Sequence, residues 1–244
     1  MAKEKQQVDT CGKKVFKIIT NYTKQIELIK AQDITERINI IGCGALGSWI
    51  VFILLKMGFS NIHVYDFDTI EEHNIPNQLF KESQIGELKV KALDLIYKDF
   101  FNEEPDEERV SVYAKKVDED NCQFGGVTLC CVDTMAGRKE LFESMFKYGN
   151  AKLWIEGRIG LYGAYIYTLT EKEKIQLDNY EETLYNDSEA EVSSCGVSQT
   201  ALPSAINCAS IMVMQLIEHF NGSSPLNKIE YSIPWLTNMV SEWK

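Results

Sequence analysis

The sequence predicts a doubly wound α/β domain whose sheet is parallel in its N-terminal part and gains antiparallel strands toward the C-terminus. Three observations carry this reading. An apolar run, Ile38-Asn39-Ile40-Ile41, leads into Gly42-Cys43-Gly44-Ala45-Leu46-Gly47, then an apolar stretch from Trp49 to Leu55, then an acid, Asp66, nineteen residues after Gly47. Strand-like and helix-like segments alternate over the next hundred or so residues. From Gly157 to Thr170 the pattern changes to three glycines and the alternating Ala164-Tyr165-Ile166-Tyr167, which suggests added antiparallel strands.

The first observation is the layout of a nucleotide-binding βαβ unit: strand, glycine turn, helix, acid-tipped second strand. Lacking a Cβ, each glycine lets the backbone turn tightly and approach a phosphate, while a helix start supplies unpaired N–H groups and a positive dipole end. The alternative is that the glycines serve only helix–strand packing.

Taken in order, residues 1 to about 35 read as a polar tail followed by an amphipathic helix through Val15, Ile18, Ile19, Tyr22, Ile26 and Ile29, spaced mostly three or four apart. Residues 36–244 read as a single domain. Glu71 to Gln84 is a polar loop, Val90 to Phe100 returns to helical spacing, and Val110 to Ala114 alternates as a strand does. Val127 to Val132 is a continuous apolar run suited to a strand buried on both faces. A helix through Leu141, Met145 and Tyr148 precedes the strand Leu153-Trp154-Ile155. Residues from about 171 to 195 are acidic and aperiodic, which predicts a mobile crossover loop. A buried helix follows from Pro203 to Phe220, then a last strand from Ile229 to Ile233.

Composition narrows the function. With 244 residues and 45% hydrophobic content the chain can bury a sizeable core. A net charge of −11 argues against a nucleic-acid binder, which needs a basic face to displace counterions. The longest apolar run, Trp49 to Leu55, is far short of the roughly 20 residues of a membrane span, and Lys3, Glu4 and Lys5 leave no signal-peptide core. A cytoplasmic location with no membrane partner is expected. Seven cysteines without a CxxC pair support neither a disulfide framework nor a structural zinc site.

Further motifs sharpen the picture. Asp66-Phe67-Asp68 leads through Asn74, Asn77 and Gln78 to Gly86-Glu87-Leu88-Lys89, and Cys131-Val132-Asp133-Thr134-Met135-Ala136-Gly137-Arg138 follows. Ile155-Glu156-Gly157-Arg158-Ile159-Gly160 with Gly163 precedes the crossover, and Cys195 stands eight residues before Pro203. Over about residues 20 to 220 this order resembles the ThiF-type adenylating family, the ThiF, MoeB and HesA relatives of ubiquitin-activating enzymes.

The resemblance implies a Rossmann-like, ubiquitin-activating enzyme-like adenylation domain that uses ATP and Mg²⁺ as a homodimer. Its implied substrate is the C-terminal carboxylate of a small ubiquitin-like or sulfur-carrier protein. It implies that Gly42, Gly44, Ala45, Leu46 and Gly47 line the nucleotide and that Asp66 accepts from the ribose hydroxyls. Asp68 and Asn77 belong to the same cofactor-binding set, Asn74 and Gln78 help fix the phosphate end, Lys89 contacts phosphate, Asp133 holds magnesium, Arg138 joins the catalytic set, and Cys195 is a candidate nucleophile. Each has a plain alternative: a strand-end cap for Asp66, a solvated lysine for Lys89, a helix cap for Asp133, a packed thiol for Cys195. His63, His73 and His219 read as structural or solvent-facing.

The chain departs from the family pattern where Asn77 replaces the arginine of Asn-x-x-Arg-Gln, and where Asn21-Tyr22-Thr23-Lys24-Gln25 stands for Arg-Tyr-x-Arg-Gln. Lys24, Lys81 and Arg158 are the cations left to compensate. Two other functions fit parts of the pattern: a non-catalytic nucleotide-holding module, and an NAD-dependent oxidoreductase. The loop from Asn74 to Gln78 and Asp133 speak against the oxidoreductase, since hydride transfer has no need of them.

Overall fold

The computed structural model describes residues 4–8, 14–18, 21–101, 107–118, 120–122, 124–170, 172–186, 199–234 and 237–243. A two-stranded antiparallel ribbon, β1 (Glu4–Val8) and β2 (Lys14–Ile18), precedes the main sheet. The main sheet has eight strands in the order β10-β9-β8-β7-β6-β3-β4-β5. Its strands are β3 (Ile38–Ile41), β4 (Ile62–Tyr65), β5 (Val110–Tyr113), β6 (Gly126–Cys130), β7 (Ala151–Ile159), β8 (Gly163–Leu169), β9 (Lys228–Ser232) and β10 (Thr237–Ser241). From β5 across to β7 the pairing is parallel, and from β7 to β10 it is antiparallel. The doubly wound mixed sheet is therefore the observed architecture.

Two cores sit on its two faces. One face packs Ile38, Ile40, Val64, Leu129 and Ile155 under α1 (Gly47–Met57), α2 (Lys89–Phe101) and α5 (Leu202–Phe220). The other packs Ile41, Tyr65, Cys130 and Trp154 under α3 (Met135–Leu141), the π-helical continuation Phe142–Lys147 and α4 (Lys174–Glu181). Strands β3 and β6 are buried at every residue, which is why they read as unbroken apolar runs. Asn39 is the polar exception in β3, and its amide is satisfied by Gly125 O, Val127 O and Arg37 Nε. On the second face Phe142, Trp154 and Tyr180 interlock, with centroids 4.4 to 6.5 Å apart and Trp154 edge-on to both partners. Helix α1 stops at Gly58, φ +90°, whose N–H returns to Leu54 O and Leu55 O. Among the described residues no helix is long and apolar enough to cross a membrane.

Three expectations are corrected. The N-terminal helix through Val15 to Ile29 does not form: residues 14–18 are strand, and 23–25 and 31–33 are short 3₁₀ turns. Val15, Phe16 and Ile18 favour an extended chain, and Asn21 takes the Thr23 N–H at 3.0 Å into its own side chain, which competes with helical bonding. Ile29 is buried but Ile26 is exposed, so these residues share no helical face. The crossover is not wholly loop: α4 occupies part of it, held by the fully buried Tyr180 one turn after the buried Gln176. Leu177 and Tyr180, with Leu184 just beyond the helix, pack on the second core, a stripe too short among the surrounding acids to stand out in the sequence. A further strand, β10, follows the last one expected. Cys195 and residues 187–198 around it lie outside the described residues.

His63 on β4 has its ring nitrogens 3.0 Å from Tyr113 Oη and 2.8 Å from Asn61 Oδ1. Burial, with repulsion from Arg37, lowers its pKa from 6.5 to about 4. The unfolded chain takes up that proton first, so His63 makes stability fall as pH drops from about 6.5 toward 4. His219, also lowered by burial, adds to the same slope. Urea denaturation at pH 7 and pH 5 is expected to give a smaller loss between the two for His63→Asn than for the parent chain.

Candidate functional site

The tips of β3, β4 and β6 meet at the start of α1. Gly42 has φ +93°, and a Cβ there would lie 2.8 Å from Cys131 O, so the tight passage between β3 and β6 demands glycine. Gly47 is equally constrained, since its Cβ would fall 1.9 Å from Gly42 O. Gly44 differs: a Cβ there would meet nothing nearer than Gln78 Nε2 at 3.8 Å. Packing explains the outer two glycines and leaves the middle one open to a ligand. No side chain caps α1 at Leu46, so no cap competes with a ligand for the helix start.

A chain of bonds runs from the turn outward. The Asp66 carboxylate, almost fully buried, accepts from Cys43 N–H at 2.6 Å and from Asp68 N–H at 2.8 Å. Burial raises its pKa, while those two bonds and the Lys89 charge oppose the rise. Lys89 Nζ donates to Asp68 Oδ2 at 2.9 Å, and its backbone N–H to Asp68 O at 3.0 Å. Burial acts to lower the Lys89 pKa, but the Asp66 and Asp68 charges outweigh it and the pKa is raised. Lys89 is therefore a buried, charged group at the mouth of the turn and not a solvated surface lysine.

The loop from Asn74 to Leu79 lies over α1. Trp49 Nε1 donates to Asn77 O at 3.1 Å and Leu79 N to Ser48 Oγ at 3.2 Å. Asn74 spends its Oδ1 on Glu71 N–H at 2.9 Å and so shapes the loop. Asn77 Nδ2 donates to Thr200 Oγ1. Asn77 Oδ1 and Gln78 Oε1 are buried and find no partner among the described residues.

Asp133 is exposed on the loop after β6, and the cap of α3 is its neighbour Thr134, which accepts from Gly137 N–H at 3.2 Å. Arg138 lies elsewhere: it is buried, 2.9 Å from Glu156 Oε1. Glu156 is fully buried on β7 and also binds Arg158 through Nε at 2.6 Å and Nη2 at 3.1 Å, with Tyr180 Oη as a further donor. The two guanidiniums hold its pKa below the usual carboxylate range against the effect of burial. Arg158 reaches on to Thr183 O and Oγ1 at 2.7 and 3.0 Å. The sequence signal for Glu156 was an acid within an apolar strand, and Thr200 gave none.

None of the three compensating cations reaches the turn unpaired. Arg158 is committed to Glu156 and Thr183, and Lys81 pairs with Asp99. Gln25 binds Met57 O at the C-terminal end of α1, which places residues 21–25 about 16 Å of helix away from the turn.

These residues fit a nucleotide phosphate with a divalent cation: an uncapped helix start, open space at Gly44 and an exposed acid at Asp133. Among the described residues no three metal-ligating side chains converge, so such a cation would draw its other ligands from phosphates and water.

The profile of the ThiF family matches residues 23–240. The chain is 34% identical over 116 residues to the Nedd8-activating enzyme E1 catalytic subunit of Drosophila melanogaster, covering 45% of this chain and 25% of that protein. It is 27% identical over 132 residues to the SUMO-activating enzyme subunit uba-2 of Caenorhabditis elegans, covering 53% and 22%. The chain thus spans about a quarter of the length of these relatives. It superposes on Escherichia coli MccB with a TM-score of 0.68 at 17% identity, covering 92% of this chain and 69% of that one, a likeness of fold.

The glycines separate by experiment. Gly42→Ala is expected to lose about 2 kcal/mol or more, from the disfavoured positive φ and the contact with Cys131 O. Gly44→Ala is expected to change stability by less than about 0.5 kcal/mol, as denaturant midpoints would report.

Proposed function

The chain belongs to the ThiF family, and from that premise we propose that it is an ATP-dependent adenylyltransferase acting on the C-terminal carboxylate of a small ubiquitin-like or sulfur-carrier protein. The observation that carries this reading is the bonded series Cys43–Asp66–Asp68–Lys89 beneath an open Gly44. The named relatives activate Nedd8 and SUMO, and E. coli MccB has been solved with ATP and with MccA, which supports a nucleotide and a polypeptide acceptor here.

In this reading an acceptor carboxylate oxygen attacks the α-phosphorus, the acyl-adenylate bond forms, and pyrophosphate leaves with the electrons of the broken P–O bond. Asp66 keeps a lone pair on each oxygen for the ribose hydroxyls. Lys89, charged because Asp66 and Asp68 surround it, presents a cation to phosphate. Asp133 and Asp68 would hold magnesium, which supplies charge neutralisation when bound. Asn74 shapes the loop that carries Asn77 and Gln78, and Arg138 acts from its place against Glu156. Cys195 is the candidate for a later thioester or persulfide step. A homodimer belongs to the same reading, because residues 21–25 lie too far from their own glycine turn to serve it.

One observation favours a second reading, a nucleotide-holding module without transfer: Lys81, Lys89, Arg138 and Arg158 are each paired with an acid. ATP–pyrophosphate exchange with candidate acceptors ending in Gly-Gly separates the two. Exchange is expected, and Lys89→Ala and Asp133→Asn are each expected to lower its rate about tenfold or more, about 1.4 kcal/mol of barrier. Nucleotide binding without exchange would favour the second reading.

A further inference from the structure

Asp133 stands between two anchored stretches of chain. Upstream, Cys131 N–H donates to Ile41 O at 2.8 Å, and the backbone passes so close to the glycine turn that a Cβ on Gly42 would lie 2.8 Å from Cys131 O and 3.3 Å from Val132 N. Downstream, Thr134 caps α3 by accepting from Gly137 N–H at 3.2 Å, and its carbonyl takes the Arg138 N–H at 3.1 Å. The place of the exposed Asp133 carboxylate beside the turn therefore depends on where α3 sits.

Helix α3 has seven residues, and the apolar side chains it buries are Met135 and Leu141. Apolar burial is non-directional and does not fix so short a helix along its own axis. Between those two residues Arg138 turns inward and meets Glu156 Oε1 at 2.9 Å. Glu156 is held from the other side: Arg158 on the same strand donates to both its oxygens, at 2.6 and 3.1 Å, and Tyr180 Oη donates to Oε2. A buried ion pair adds little net stability, because desolvation offsets the attraction, yet separating its partners is costly. What it contributes is a place. A slip of α3 by one residue, about 1.5 Å, would draw Arg138 off the acid.

We propose that Glu156 is a positioning residue for the metal: acting through Arg138 it sets the height of α3, and so holds the Asp133 carboxylate where a cation on the phosphates needs it. The inference rests on the adenylyltransferase reading, in which Asp133 holds magnesium, and names the residue that places that acid. Glu156 is fully buried and itself touches no ligand. Through Arg158 the same carboxylate reaches Thr183 at the end of α4, so both helices of the second face are registered to one charge.

Calorimetric titration of the full chain with ATP, once with Mg²⁺ and once in EDTA, gives the factor by which the metal tightens binding, without any turnover. The parent chain is expected to show about tenfold or more, and Asp133→Asn to remove most of it. Glu156→Gln and Arg138→Met are each expected to cut the factor about threefold or more, and Arg138→Lys to cut it less than Arg138→Met does. A merely structural role for Glu156 would weaken both titrations alike and leave the factor where it was. Arg138→Met added to Asp133→Asn is expected to lower it no further, because both changes act through one carboxylate. Should Glu156→Gln fail to fold, Arg138→Met, which leaves the Glu156–Arg158 pair in place, decides. A smaller reduction than threefold where Asp133→Asn is effective, or equal losses in the Lys and Met variants, overturns the proposal and leaves the adenylyltransferase reading standing. A parent chain indifferent to Mg²⁺, or a factor unchanged in Asp133→Asn, overturns it together with the assignment of the metal to Asp133. Absence of ATP binding by the parent chain removes the adenylyltransferase reading and this inference with it.

Discussion

The bond from Cys43 N–H to the Asp66 carboxylate, 2.6 Å long and buried, holds the tips of β3 and β4 at one height. It adds a charged bond to the neutral one from Gly42 N–H to Tyr65 O at 2.8 Å, so the glycine turn is tied twice to the end of β4. The second oxygen of Asp66 binds Asp68 N–H, Asp68 O takes the N–H of Lys89, and the first residue of α2 is thereby fixed to the same point. One carboxylate thus sets the positions of the turn, the following loop and the second helix. A charged acceptor suits that task, since its hydrogen bonds are roughly twice as strong as neutral ones and an unsatisfied buried donor is costly.

The sheet separates tasks as well as layers. Its parallel half brings strand tips together at one edge, where uncapped helix ends and backbone carbonyls create polar space. Its antiparallel half widens the platform and closes the second core. Strand β7 belongs to both, parallel to β6 and antiparallel to β8, and it carries Glu156, the residue on which Arg138, Arg158 and Tyr180 converge. The end of α4 is fastened to that strand through Arg158 and Thr183.

Much of this was readable in the residues. Ile38 to Ile41 and Val127 to Val132 announced buried strands because parallel strands covered on both faces need unbroken apolar runs. The glycine turn and Asp66 announced the first βαβ unit because only glycine passes where Gly42 meets Cys131 O. The failures have local causes. Val15 to Ile29 shows helical spacing, yet extended residues and the Asn21 turn prevail, and spacing carries no record of which competitor wins. Helix α4 was hidden because its apolar stripe, Leu177 and Tyr180 with Leu184 beyond the helix end, is short and set among acids. At the site, the spacing brought together Gly44, Asp66, Asp68 and Lys89, but it could not reveal that Asn74 would be spent on its own loop, or that Arg138 would turn away to a carboxylate on β7.

Arg158 and Glu156 are two residues apart on one strand, and this has an entropic consequence. Closing a contact across a long stretch of chain costs freedom, whereas neighbours two positions apart on an extended segment share a face already. The acid at the centre of the second face therefore carries its counter-ion with it before any helix docks. Arg138 and Tyr180 arrive at a charge already neutralised, and the molecule never has to enclose a bare anion in order to collapse.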